Sequence, residues 1–123
     1  MTIKEVSKVM GLSQDTLRYY ERVGMIPKVT RTSGGTRDYQ DEDLKWVQLA
    51  KCMRSAGLPI EVMIEYFKLF KEGNDTIPAR LELLREQMEV LEEQQKVIQE
   101  TMNRLNVKIK HYEEALISGK LEW

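Results

Sequence analysis

From Thr76 onward, apolar residues recur in alternating steps of four and three: Ile77, Leu81, Leu84, Met88, Leu91, Gln95, Ile98, Met102, Leu105, Ile109, Tyr112 and Leu116. This is an unbroken heptad seam, with Gln95 its one polar member. A helix of about 40 residues, rising 1.5 Å per residue, is roughly 60 Å long. So long a helix has no core of its own, and folding it back on the preceding residues leaves much of the stripe uncovered. The seam therefore predicts that two copies associate through residues 76–118. Gln95, near the middle, is placed to set register at some cost in stability. Heptads alone leave parallel and antiparallel pairing open.

The remaining residues have room for one compact domain, since the chain is 123 residues long. With 32% charged and only 7% aromatic residues, a large central core is excluded. No apolar run reaches signal length or the ~20 residues of a membrane span, so a soluble, cytoplasmic protein with no membrane partner is expected. Cys52 is the single cysteine, and His111, the single histidine, is far from it in sequence. That excludes an internal disulfide framework and a thiolate-only metal cage, and neither metal nor cofactor is expected. Net charge is −1 but uneven: residues 1–40 hold seven Lys/Arg against four Asp/Glu, and residues 41–123 hold twelve against sixteen. A basic head on an acidic stem is compatible with nucleic acid.

Thr2 and Glu5 form a capping box ahead of Ile3, Val6 and Met10 at helical spacing, and Gly11 closes that helix. Ser13 caps a second helix that Gly24 stops and Pro27 prevents from resuming. Two short helices joined across Gly11-Leu12-Ser13 have the layout of a helix-turn-helix, residues 2–24. Val29 to Tyr39 read as a β-hairpin turning at Ser33-Gly34-Gly35, a wing within residues 28–39. Asp41, Glu42 and Asp43 start a third helix running to about Ser55, which Gly57 ends. Pro59 sits in the first turn of a fourth, running to about Lys71. The expected organisation is a head over residues 1–72, with its second helix pair at 41–71, and a coiled coil over 76–118. The fold class is mainly α.

On the second helix, Leu17 and Tyr20 share one face, while Asp15, Arg18, Tyr19 and Arg22 follow at i, i+3, i+4 and i+7 on the opposite one. Tyr20 is therefore expected in the core and Tyr19 in the open among arginines. Arginine offers a planar fork of donors to phosphate or guanine, and a tyrosine hydroxyl reaches phosphate. An Asp15–Arg18 pair along the helix is the plainer reading. It is worth only about 0.3–0.5 kcal/mol and does not explain the adjacent aromatic. The wing adds Lys28, Arg31 and Arg37, cations placed to follow a DNA backbone.

Residues Ser13 to Tyr39, with TLRYYE, then GMIP, then an arginine-bearing wing of the form G-x-R-x-Y, closely resemble the MerR family of bacterial transcription regulators. The resemblance extends over the whole chain, including GLPIEVM in the second helix pair. Thr36 departs from it, standing where the family commonly has an aromatic. The resemblance implies a winged helix-turn-helix head, a homodimer joined by an antiparallel coiled coil, and a pseudo-palindromic operator in double-stranded DNA. It also implies activation, for RNA polymerase, of a promoter whose −10 and −35 elements are badly phased. B-DNA turns once in about 10.5 bp, so each surplus base pair swings an element by about 34°, and bending plus untwisting restores phase. Carried over motif by motif, the DNA contacts fall on Arg18, Tyr19, Arg22, Arg37 and Tyr39, with Thr16 and Arg31 beside them.

Metal-sensing relatives place cysteines around the ends of the dimer helix, and this chain has none there. Cys52 remains, lying about 100° from Met53 on its helix and so at the edge of the stripe formed by Trp46, Leu49, Ala50 and Met53. One reading is a small hydrophobe filling a gap. The other follows the resemblance to the aldehyde- and nitric-oxide-responsive NmlR/AdhR type, whose cysteine lies in this helix. There an electrophile modifies the thiol, with Lys45, Lys51 and Arg54 as nearby cations favouring thiolate. An enzyme is excluded by the lack of any base beside the cysteine or a phosphate loop. A simple repressor and a coiled-coil scaffold remain as alternatives.

Overall fold

Thr2 opens the first helix by a reciprocal pair of bonds: the Glu5 amide donates to its hydroxyl at 3.1 Å, and its own amide donates to Glu5 Oε1 at 3.0 Å. Helix α1 runs Ile3–Met10 and ends at Gly11, which adopts φ +67°. The computed structural model describes residues 1–122, and among them the regular elements are helical. They are α1, α2 (Gln14–Arg22), α3 (Asp41–Ser55), α4 (Ile60–Glu72), a 3₁₀ turn (Asn74–Thr76) and α5 (Ile77–Ser118). Two compact units divide the chain, one over Met1–Arg85 and one beginning at Glu86.

In the first unit, Ser13 caps α2 by accepting the Thr16 amide at 3.0 Å. After Arg22 the chain turns through Gly24, and the amides of Met25 and Ile26 both donate to the Tyr20 carbonyl. That turn drives Met25 and Ile26 inward, where they are buried with Val6, Leu17 and Tyr20. Leu17 and Tyr20 thus occupy the buried face that the spacing predicts. Trp46, Val47, Ala50 and Met53 supply the buried side of α3, and Leu58 and Met63 that of the α3–α4 corner. The Trp46 ring meets Tyr66, Phe67 and Phe70 of α4 at centroid separations of 5.7, 5.5 and 5.1 Å, tilted or edge-on, which favours both packing and quadrupole alignment. A tie long in sequence joins α1 to α3: the Lys51 ammonium donates to the Met10 carbonyl, an acceptor left free by the end of α1.

The wing is less regular than the expected β-hairpin. Its turn is present, with the Gly35 amide donating to the Thr32 carbonyl at 2.9 Å and Gly35 at φ +85°. Pairing amounts to one isolated antiparallel bridge, Arg31 with Arg37, flanked by bonds from Thr32 to Thr36 and from Asp38 to Thr30. Between its ends the arms carry Thr30, Arg31, Thr32, Thr36, Arg37 and Asp38, polar side chains with no apolar face to bury. A two-stranded ladder alone in water is marginal, so nothing extends it. Val29 and Tyr39 anchor its two ends in the core.

Pro59 is the N-cap of α4 rather than a residue of its first turn. Between α4 and α5, Gly73 holds φ +105° and ψ −173°, a region open essentially to glycine. Arg80 braces the joint, donating from Nη2 to the Gly73 carbonyl at 3.2 Å and from Nε to the Thr76 hydroxyl at 3.0 Å. Its guanidinium lies 5.5 Å from the Phe70 ring centroid. These contacts tie the first turns of α5 to the end of α4.

Helix α5 is 42 residues long and buries none of them. In the second unit the seam residues Met88, Ile98, Met102, Leu105 and Ile109 are each more than half exposed, and Leu81 and Leu84 in the first unit are also exposed. Gln95 is exposed among them, and Leu91 is half-buried.

Candidate nucleic-acid interface

Helix α2 presents its functional side chains because its start is fixed by Ser13 and its inner face by Leu17 and Tyr20. Thr16 lies in the first turn, its hydroxyl accepting from Ser13 Oγ at 2.8 Å. Arg18 donates from Nη1 to Asp15 Oδ1 at 3.0 Å and from Nη2 to Gln14 Oε1 at 3.3 Å. The plainer reading of this face is thus present as well: the ion pair exists. It is exposed, with Asp15 at 95% side-chain accessibility, and a pair of that kind stabilises a helix by only about 0.5 kcal/mol. Arg22 is exposed and lays its guanidinium over Tyr19, 5.4 Å from the ring centroid. The result is a surface with planar donors fanned around an aromatic ring, suited to phosphates and base edges.

The wing joins this surface through Glu21, a residue that the sequence reading passes over. Glu21 lies on the same helix, α2, and its side chain is only 8% exposed. Oε1 accepts from Arg37 Nε at 2.8 Å and faces Arg31 Nη2 at 3.6 Å, while Oε2 accepts the Val29 amide at 2.7 Å. Arg31 also donates from Nη1 to the Gly35 carbonyl at 3.1 Å. One carboxylate therefore gathers both wing arginines and the base of the wing against α2. A signal was available: an acidic residue in the last turn of a helix opposes the macrodipole, so its presence implies a cationic partner.

Tyr39 is not on this surface. It is 2% exposed, and its hydroxyl is buried without a hydrogen-bond partner among the described residues. Burial pushes the hydroxyl pKa above its usual value, with Arg37 pulling in the opposite direction. Strand alternation would put Arg37 and Tyr39 on one side. The pairing ends before Tyr39, whose amide donates instead to the Met1 carbonyl at 2.8 Å, and the side chain turns inward.

Cys52 is exposed, in line with an edge position on α3, and its sulfur accepts from Gln48 Nε2 at 3.2 Å. The three cations expected to favour thiolate are engaged elsewhere. Lys51 is on the Met10 carbonyl, Arg54 donates to the Leu58 carbonyl at 2.7 Å, and Lys45 lies 3.9 Å from Glu42. Among the described residues no group of three or more His, Cys, Asp or Glu could hold a metal ion, and no helix is long and apolar enough to cross a membrane.

Two family models match. One is described as the MerR HTH family regulatory protein and covers residues 1–69; the other, MerR, DNA binding, covers residues 44–107. Among characterised relatives, the chain is 54% identical to the HTH-type transcriptional regulator AdhR of Bacillus subtilis over 87 residues, 71% of this chain and 62% of that protein. The chain thus spans less than two thirds of AdhR. An uncharacterised HTH-type transcriptional regulator of Haemophilus influenzae is 28% identical over 98% of this chain and 90% of its own length. Of solved structures, a MerR family transcriptional regulator from Listeria monocytogenes superposes with TM-score 0.91 at 45% identity, covering 97% of this chain and 90% of its own. HiNmlR, a MerR family regulator lacking the sensor domain and solved bound to promoter DNA, superposes with TM-score 0.88 at 28% identity, over 98% of this chain and 95% of its own.

Proposed function

The chain belongs to the MerR family of helix-turn-helix regulatory proteins and is a DNA-binding transcriptional regulator; from that premise we propose that it acts as a homodimer on a pseudo-palindromic promoter site. The observation that carries this reading is the surface formed by Arg18, Tyr19 and Arg22 of α2 and, through Glu21, Arg31 and Arg37 of the wing. Thr16 borders it. These six residues are the proposed DNA contacts, and Tyr39 supports the wing from within. That HiNmlR is a family member bound to promoter DNA supports the same use of the surface here.

Dimerisation is proposed through α5, antiparallel. The seam's steps read the same from either end, so all twelve positions mate with a reversed copy about a two-fold axis between Lys96 and Val97. In that register Met88 meets Leu105 of the partner subunit, Leu91 meets Met102 of the partner subunit, and Gln95 meets Ile98 of the partner subunit. Arg85 comes opposite Glu113 of the partner subunit, an attractive pair. A parallel pair would instead set Arg80 against Arg85 of the partner subunit. On the promoter, the dimer bends and untwists the spacer so that RNA polymerase engages both elements, and added phosphate contacts offset the deformation energy.

Cys52 is proposed as the sensing residue. Its thiol is exposed on α3, and 54% identity to AdhR covers most of the chain. An aldehyde is a suitable electrophile: the sulfur–carbon bond forms as the carbonyl π bond breaks, and the thiol proton passes to the oxygen. The test of the whole reading is footprinting on DNA upstream of the gene, with in vitro transcription on the protected promoter. Two-fold protection with polymerase-dependent activation is expected. Absence of sequence-specific protection leaves the scaffold alternative standing, and protection that only blocks transcription leaves the simple repressor.

A further inference from the structure

Glu21 places an anion next to a surface proposed to bind a polyanion. By Coulomb's law alone, such a carboxylate weakens DNA binding, and replacing it should strengthen binding. The geometry points to the opposite: we infer that Glu21 is a positioning residue for DNA binding, locking the wing arginines to α2 so that both elements meet the duplex as one rigid surface. This rests on the DNA-facing reading of α2 and the wing.

Four observations carry it. The carboxylate is 8% exposed, so it lies beneath the surface rather than on it. It takes Arg37 through Nε, at 2.8 Å, and among the described residues the Arg37 side chain makes no other hydrogen bond. A guanidinium held by its Nε keeps both terminal nitrogens free to present a two-pronged donor to a phosphate. The second carboxylate oxygen holds the Val29 amide, fixing the point where the wing leaves the core. Apart from Glu21, Arg31 is held by its bond to the Gly35 carbonyl within the wing itself, so Glu21 is what ties both wing arginines to α2. Preorganisation of this kind lowers the cost of ordering long side chains on binding.

The experiment compares wild type, Glu21→Gln, Arg37→Ala and the double variant, titrated against operator and against random duplex over a range of salt. Glutamine keeps an acceptor for Val29 and removes the charge. The expected result for Glu21→Gln is a loss of at least tenfold in operator affinity. Its salt slope should fall by about 0.9, the equivalent of one phosphate contact. Arg37→Ala should show the same slope, and the double variant little further loss, because Glu21 acts through Arg37. Unfolding curves of each variant separate misfolding from misplacement: a purely structural role lowers stability without altering the salt slope of the protein that remains folded. An operator affinity that is unchanged or higher in Glu21→Gln, or a double-variant loss equal to the product of the two single losses, overturns the proposal. If Arg18→Ala, run alongside, leaves operator affinity intact, the DNA-facing reading of α2 fails instead.

Discussion

Arg18 and Asp15 form an ion pair on the outer face of α2, with Nη1 3.0 Å from Oδ1. The same arginine proposed to meet DNA is therefore already partnered, by a side chain almost wholly in solvent. Exchanging that carboxylate for a phosphate costs little, since the pair contributes about 0.5 kcal/mol. Asp15→Asn is predicted to raise affinity for any duplex several-fold at low salt, an advantage that shrinks as salt rises, with stability changed by less than about 0.5 kcal/mol. Fluorescence anisotropy on labelled duplexes reads this out. Weaker binding by Asp15→Asn would mean that Asp15 aims Arg18 rather than competing for it.

Arg18, Arg22 and Arg31 are predicted to divide by role when each is replaced with alanine. A phosphate contact, lost, weakens all sequences alike and lowers the salt slope by about 0.9. A base contact, lost, costs about 1–3 kcal/mol on the operator and relaxes preference at one position. If all three substitutions leave both slope and preference unchanged, this surface is not the interface.

Tyr39→Phe is predicted to preserve or raise stability, by about 1 kcal/mol, because it removes a buried hydroxyl that has no hydrogen-bond partner among the described residues. It should also blunt alkaline unfolding. Burial raises the pKa of Tyr39 in the folded chain above the reference value of 10.0, and Tyr20 shifts the same way by burial, opposed by Arg54. Such a group contributes stability that is fully present below pH 10. That stability is lost as pH rises through the higher folded-state value, because the unfolded chain releases the proton first. Chemical denaturation from pH 8 to pH 11 measures this, and a destabilised Tyr39→Phe would show that the hydroxyl is bonded after all.

Gln95 is predicted to cost the dimer stability while marking its centre. Gln95→Leu should raise the dimer's unfolding midpoint. On a Cys52→Ser background, cysteines at Gln95 and Ile98 should oxidise rapidly to a covalent dimer if the helices run antiparallel. Cysteines at Leu84 and Met102 should not, because neither faces itself nor the other in that register. A purified chain that stays monomeric at micromolar concentration refutes the pairing.

Cys52→Ser is predicted to abolish the transcriptional response to aldehydes while leaving operator affinity within about twofold. With Lys45, Lys51 and Arg54 engaged elsewhere, the rate of thiol alkylation should depend on the Gln48 hydrogen bond, and Gln48→Leu should slow it. Intact induction in Cys52→Ser would remove the thiol from the mechanism.

Much of this protein is written in local pattern. Helix ends follow from side chains a few residues apart, as with Thr2 and Glu5 or Ser13 and Thr16, and from glycines such as Gly11. Periodicity alone assigned Leu17 and Tyr20 to the core and exposed the seam of α5, because a helix repeats its geometry whatever surrounds it. What required the tertiary structure were relationships between distant segments. Glu21 holding Arg37, Lys51 reaching Met10, Arg54 turned to the α4 corner, and Tyr39 drawn into the core are each decided by where the chain returns. A wing too polar to build its own ladder likewise takes its shape from what it is anchored to. Short-range rules govern the backbone of each element, but the partner of a charged or aromatic side chain is chosen by packing, which no single stretch of sequence contains.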